Sequence, residues 1–300
     1  MDTVYFDCSS GISGDMTLAA FVDLGVPADT IEAALNSLPL DGFSLSWERV
    51  NRAGISANRA VVETNEGHIH RGLSDVLEII LGGDLGDKAR EYAEAIFTNL
   101  AKAEAEVHGT TVEKIHFHEV GAADAIIDIV GAAVAAASLG DVRFVGSPVR
   151  TGFGTISIAH GEYPIPAPGT AALLRGVPVF GGEVEGEWTT PTGAAILSTL
   201  CSEYGPMPAM AVDRIGHGAG SRVHPKLPNV LRIFGGNSAR QQACGMIVME
   251  TQVDDASPEL LGHLGERLSE SGATDWYITP VLMKKNRPGH LITILCKPEQ

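Results

Sequence analysis

Cysteine is scarce in this chain: four in 300 residues, Cys8, Cys201, Cys244 and Cys296, with no C-x-x-C pair among them. That scatter argues against a disulfide framework and against a structural zinc ribbon, so the four read as free thiols. Long apolar runs are missing too. The alanine-rich stretch from Ala122 to Leu139 is broken by Asp124 and Asp128, which keeps it short of the roughly 18 uninterrupted apolar residues of a membrane span. The opening residues Met1-Asp2-Thr3-Val4 carry neither a positive leader nor a signal-type apolar region, and a cytoplasmic location is expected. Basic residues are outnumbered, 21 Lys and Arg against 37 Asp and Glu, for a formal charge of −16. A balance of that sign repels polyphosphate backbones and leaves nucleic acid an unfavourable partner. Internal repeats and low-complexity segments are absent.

What is present is enough apolar material for a large core: 44% hydrophobic residues and a mean hydropathy of +0.11, over a length that favours two or more domains. The patterning predicts a buried strand over Thr3 to Asp7, a Ser/Gly turn, and a helix from about Gly14 to Gly25. A helix over Ala28 to Ser37 follows, then antiparallel strands over Phe43 to Asn51 and Ile55 to Thr64. Helices are predicted over Leu73 to Leu81 and Lys88 to Val107, and a short extended piece from His116 leads into a very apolar helix that should be central in its domain. From Arg143 to Pro225 short strands and turns alternate, with short helices at Ala167 to Leu174 and after Pro191. The small, polar run from Phe234 to Gln242 reads as a linker.

Beyond it come a strand (Cys244 to Val253), a helix (Pro258 to Ser271) and two strands (Asp275 to Met283, His290 to Lys297). That βαββ order is the first two thirds of a ferredoxin-like unit. The expected fold is therefore α+β: mixed α/β layers over residues 1–235, a linker at 236–243, and an incomplete ferredoxin-like domain over 244–300. Because such a sheet leaves a face and an edge open, the chain is expected to be truncated or completed by another chain. A homo-oligomer is expected.

The chemistry concentrates in one run. His116, His118, Glu119, Asp124 and Asp128 place five metal-competent side chains within thirteen residues, separated only by apolar residues and glycine. On an extended segment the two imidazoles share one side, and Asp124 and Asp128 lie four apart on one helical face. Nitrogen and oxygen donors of this kind suit Ni, Zn, Mn or Fe. The competing reading is that the acids cap a loop and the histidines bond backbone carbonyls. His68-Ile69-His70-Arg71 repeats the H-x-H pattern, as a second ligand pair, an anion-binding loop or a solvated loop. His160 sits in a proline-set turn that could hold an imidazole over a site.

The run Asp7 to Asp15 joins a strand to a helix start, where Ser9, Ser10, Gly11, Ser13 and Gly14 offer small side chains and N–H groups to a phosphate or carboxylate. It has neither the Lys-Ser/Thr of a P-loop nor a full G-x-G-x-x-G. A simple capped turn is the alternative. Thr189 to Gly193 either caps a helix or cradles an anion. Lys284, Lys285 and Arg287 put three cations in four residues between the last two strands, suited to a triphosphate or forming a solvated hairpin.

Taken together, Phe6-Asp7-Cys8-Ser9-Ser10-Gly11-Ile12-Ser13-Gly14-Asp15-Met16, His116 to Asp124, His160 to Pro168, Thr190 to Ala195 and Met283-Lys284-Lys285 resemble the LarC family of nickel-insertion proteins. Five separated motifs in order, spanning nearly the whole chain, make the resemblance specific. It implies a nickel chelatase of the lyase class that inserts Ni(II) into pyridinium-3,5-bisthiocarboxylic acid mononucleotide, forming the nickel-pincer nucleotide cofactor of lactate racemase-type enzymes. It also implies use of CTP with Mn(II) or Mg(II), the nucleotide being associated with the C-terminal domain. Asn286 departs from the glycine of the family pattern.

On this resemblance His116, His118, Glu119, Asp124 and Asp128 would hold nickel in an exchangeable site. His160 or His68 would accept the proton that metallation expels. The substrate phosphate would lie at Ser9 to Gly14 or near Arg71, and CTP near Lys284, Lys285 and Arg287. Two other functions use the same residues: a metal-dependent hydrolase in which the cluster activates water, and a nickel store that needs no nucleotide.

Overall fold

The computed structural model describes residues 1–65, 71–117, 121–158, 161–225, 227–238 and 246–297. The chain divides into two compact units, Met1–Ser238 and Ala239–Gln300.

The first unit opens with β1 (Thr3–Asp7), α1 (Gly14–Leu24), α2 (Ala28–Asn36), β2 (Phe43–Arg52) and β3 (Ile55–Thr64). Next come β4 (Arg71–Gly72), α3 (Leu73–Gly82), α4 (Asp87–His108), β5 (His116–Phe117) and α5 (Ala123–Ser138). A run of short pieces follows: β6 (Arg143–Gly146), β7 (Val149–Arg150), β8 (Gly152–Phe153), β9 (Thr155–Ile158), β10 (Gly161–Pro164), α6 (Pro168–Leu173), β11 (Val179–Phe180), β12 (Gly186–Glu187), α7 (Pro191–Leu200) and β13 (Glu203–Tyr204). Two longer strands close the unit, β14 (Met210–Ala219) and β15 (Val230–Ser238). Seven of these strands form one mixed sheet in the order β13-β6-β1-β15-β14-β3-β2. β1 pairs in parallel with β6 and antiparallel with β15, so its residues Val4 and Phe6 are sealed on both sides and fully buried.

The helices pack over this sheet. Gly216 and Gly218 on β14 let α1 lie directly on the strand, since a Cβ at either would come within 2.1 Å of the Ala20 carbonyl oxygen or 1.9 Å of that of Met16. α5 is almost wholly apolar and is buried among α1, α2, α4, α7 and β3, the central position its sequence predicts. Its alanines and Gly131 keep it thin, and a Cβ at Gly131 would meet Leu18 of α1 at 2.8 Å.

One expectation is revised. The run from Phe234 reads as a linker, yet β15 continues to Ser238, and Gly236 pairs with both Thr3 and Val212. Small polar composition here marks close backbone packing instead of a free connection: a Cβ at Gly236 would sit 2.1 Å from the Ala211 carbonyl oxygen. Gly236, Asn237 and Ser238 are thus strand, and residues 239–243 lie outside the described residues.

The second unit contains β16 (Ile247–Val253), α8 (Pro258–Glu270), β17 (Asp275–Met283) and β18 (Arg287–Cys296). They form a three-stranded antiparallel sheet in the order β16-β18-β17. Ser257 caps α8 through a bond from the Leu260 N–H at 3.3 Å, and Gly265 accommodates the Trp276 ring. In the Lys284–Asn286 turn, Lys285 and Asn286 have φ of 64° and 55°. This left-handed conformation favours glycine and is tolerated by asparagine, which suits Asn286 to the turn. Among the described residues no helix is long and apolar enough to cross a membrane.

Candidate functional site

The parallel strands β1 and β6 end side by side at Asp7 and Gly146, and loops leaving the carboxyl ends of parallel strands are where open α/β sheets place ligands. The two loops are tied together: the Ser147 N–H bonds the Phe6 carbonyl at 2.8 Å and the Cys8 N–H bonds the Ser147 hydroxyl at 2.8 Å. From Cys8 the chain makes a tight turn, with the Gly11 N–H donating to the Cys8 carbonyl at 2.9 Å. Ile12 then bridges the segment before α7, donating to the Trp188 carbonyl at 3.0 Å and accepting from the Thr190 N–H at 3.1 Å.

Gly11 has φ of 89°, and a Cβ there would fall 1.8 Å from the Trp188 carbonyl oxygen. Gly11→Ala combines left-handed strain with a backbone collision and should destabilise the chain by about 2–4 kcal/mol. Thermal denaturation should register this as a fall in Tm of roughly 5–15 °C; an unchanged Tm would mean the loop is not held as described.

These bonds account for most of the loop's amides. Those of Cys8, Gly11 and Ile12 are engaged as above, that of Ser9 donates to the Asp7 carboxylate at 3.1 Å, and that of Asp15 donates to the Asp128 carboxylate. The amides of Ser10, Ser13 and Gly14 donate to no described group. Asp7 itself is satisfied by an ion pair with Arg232. The Thr190 hydroxyl accepts from the Gly193 N–H at 3.2 Å, so the Thr189–Gly193 segment caps α7, and Gly193 lets that helix press on the Ile12 carbonyl.

At the far end of the loop lies an acidic group. Gly14 packs directly on Asp128 of α5, where a Cβ would sit 2.6 Å from Oδ2. Asp128 Oδ1 is buried and has no hydrogen-bond partner among the described residues. Burial, then the charges of Asp15 and Asp124, hold the Asp128 carboxyl well above the usual carboxylate range, against a smaller opposing effect of the Asp15 N–H. Burial also raises Asp15, offset in part by bonds from the Ser13 hydroxyl and the Met16 N–H and by the charge of Arg59. Asp124 is exposed in the first turn of α5 and accepts from the Ala125 N–H at 2.8 Å. The helical pairing of Asp124 and Asp128 is as the spacing predicts. The third acid, Asp15, is the residue that sequence reasoning missed; it reads as a cap, and only the glycine before it hints at an approaching group.

His116 is exposed on β5. β5 pairs with β4, Arg71 opposite Phe117 and Gly72 opposite His116, and Arg71 Nη1 donates to the Gly121 carbonyl at 2.9 Å. This small ladder joins the segments that adjoin the two H-x-H motifs. His68, His118, Glu119 and His160 lie outside the described residues. Among the described residues no three His, Cys, Asp or Glu side chains form a group that could hold a metal ion. Cys8, Cys201 and Cys296 are free and buried. Burial raises the Cys8 and Cys201 thiols well above their usual range, so neither offers a thiolate at neutral pH. In the second unit Lys284 and Lys285 are exposed, while Arg287 pairs with Asp254 at 3.2 Å.

No solved structure matches the chain. The pyridinium-3,5-bisthiocarboxylic acid mononucleotide nickel insertion protein of Geobacillus kaustophilus is 43% identical over 315 residues, covering 98% of this chain and 77% of the relative. The protein of the same description from Desulfitobacterium hafniense is 44% identical over 301 residues, covering 98% and 75%. That from Staphylococcus epidermidis is 43% identical over 294 residues, covering 98% and 74%. With residues 4–300 also matching the family described as nickel insertion protein, this chain belongs to the nickel insertion protein family.

Proposed function

We propose that this chain inserts Ni(II) into pyridinium-3,5-bisthiocarboxylic acid mononucleotide, with nickel as transferred cargo. The observation that carries the reading is the buried Oδ1 of Asp128, without a hydrogen-bond partner among the described residues, beside Asp15 and Asp124. A carboxylate buried without a counter-charge is unfavourable unless a proton or cation compensates it. His116, His118, Glu119, Asp124 and Asp128 supply nitrogen and oxygen donors, which hold Ni(II) less tenaciously than the sulfur and carbon donors of the product. Metallation at the pyridinium carbon releases that carbon's proton, and His160 or His68 accepts it near neutral pH.

The substrate phosphate occupies the Ser9–Ser10 end of the loop between β1 and α1, where the amide of Ser10 remains to donate. CTP with Mn(II) or Mg(II) engages Lys284, Lys285 and Arg287, the last giving up its contact with Asp254. The second unit has the strand order of the βαββ part of a ferredoxin-like fold.

Mass spectrometry of the mononucleotide after incubation with the chain, Ni(II), CTP and Mn(II) tests this reading. The expected result is a nickel-bearing product, one nickel consumed per molecule formed. A mononucleotide that is hydrolysed with the metal retained on the protein would refute it.

A further inference from the structure

The loop between β1 and α1 has two electrically different ends. Gly14 and Asp15 lie against Asp128 at one. At the other, the Ser9 carbonyl accepts a 2.6 Å hydrogen bond from Arg150 Nε.

Arg150 is held at every level. Its N–H donates to the Cys8 carbonyl at 3.1 Å, its carbonyl accepts from the Thr189 hydroxyl at 2.6 Å, and its strand pairs Arg150 with Phe180. The guanidinium lies over the Phe180 ring, 5.0 Å from the centroid. On its other flank is Gly182, where a Cβ would come within 1.8 Å of Nη1. Among the described residues the immobilisation serves no ion pair. Among the described residues no carboxylate pairs with Arg150 and neither Nη makes a hydrogen bond, whereas Arg49, Arg59, Arg143, Arg175 and Arg232 each pair with an acid. In a chain of charge −16, a guanidinium pinned through Nε with both Nη groups unengaged suits an anion supplied by a ligand.

We propose that Arg150 is a specificity-determining residue that binds the phosphate monoester of the mononucleotide end-on through Nη1 and Nη2. The inference rests on the insertion reading and orients it. Phosphate would be repelled by Asp128 and Asp15 at the Gly14 end and attracted at the Ser9 end, so the nucleotide lies along the loop with its phosphate toward Arg150 and its metal-accepting ring toward the acids.

The test is calorimetric binding of the mononucleotide, of its dephosphorylated nucleoside, and of inorganic phosphate, to the wild-type chain and to Arg150→Gln, Arg150→Lys and Arg222→Gln. Wild type should prefer nucleotide to nucleoside by about 10–100-fold, the range of a charge-assisted contact. Arg150→Gln should lose that preference and its phosphate binding while keeping nucleoside and nickel affinity, and Arg150→Lys, which keeps the charge without the fork, should retain part of it. Arg222 also rests on a carbonyl, that of Glu187 at 2.9 Å, and over a ring, that of Trp188 at 5.2 Å, but it does not touch the Ser9 turn; Arg222→Gln should bind as wild type. Full preference in folded Arg150→Gln or Arg150→Lys overturns the proposal, as does an equal loss in Arg222→Gln, which would reveal only a general charge effect. If the chain binds mononucleotide but transfers no nickel, insertion fails while the role of Arg150 stands. If the mononucleotide does not bind at all, inorganic phosphate still decides whether position 150 holds an anion.

Discussion

Replacing both His116 and His118 with alanine should abolish nickel retention and product formation. Loss of a partner merely hydrogen-bonded to a metal ligand already lowers metal affinity by about 10–100-fold, so removing two ligands should exceed that range. The double variant should still fold. His116 is exposed on its two-residue strand, and the anchor of that strand is the neighbouring Phe117, which is 1% exposed and packs against Phe97 at a centroid distance of 6.1 Å. Equilibrium dialysis with Ni(II), alongside mass spectrometry of the product, measures both effects. Normal synthesis by a folded double variant would remove the histidines from the mechanism.

Asp128→Asn should separate stability from function. The folded-state carboxyl is raised above its ordinary 3.8 by burial and by the charges of Asp15 and Asp124. The folded chain therefore binds this proton more tightly than the unfolded chain. The resulting stabilisation is complete below about pH 3.8, the unfolded value, and is lost as pH rises from there through the higher folded value. Above that window an uncompensated buried charge remains. Asparagine keeps the size and removes the charge, so Tm at neutral pH should rise by a few degrees, since about 1 kcal/mol corresponds to roughly 2–4 °C in a chain of this size class. The decline of stability with rising pH should flatten. Nickel transfer should fall at least ~10-fold for want of the charged ligand. Thermal melts between pH 4 and 8 read the first effect, and a Tm unchanged or lowered across that range would show that the charge is compensated within the fold.

Much of the architecture was legible because local pattern and burial agree. β1 is a five-residue run sealed on both flanks, α1 starts at Gly14 directly after Ser13, and α5 is apolar around most of its circumference because helices surround it. The exception is the run from Phe234, where glycine and small polar residues mimic a linker. A glycine that lets two backbones close to contact distance has the same letter as one that lets a chain swing free, and only the partner strand tells them apart.

The site divides along the same line. Asp124 and Asp128 share a helical face by covalent geometry alone, and the H-x-H motifs are visible as spacing. Asp15 stands 113 positions before Asp128 in the sequence and meets it only because α1 packs on α5 across two glycines, Gly14 and Gly131. Arg150 lies in the stretch that reads only as short strands and turns, and its place is decided when β7 is laid beside the Ser9 turn.

By itself the sequence determined the elements, the donor types and the family, since these follow from the period of burial, the chemistry of side chains, and motifs read in order. The tertiary structure alone decided which charges are neighbours. Coulomb energy depends on distance through space and on the local dielectric, neither of which separation along the chain supplies. A loop with acids at one end and, at the other, a guanidinium unpaired among the described residues therefore emerges only when the helices and short strands close around it.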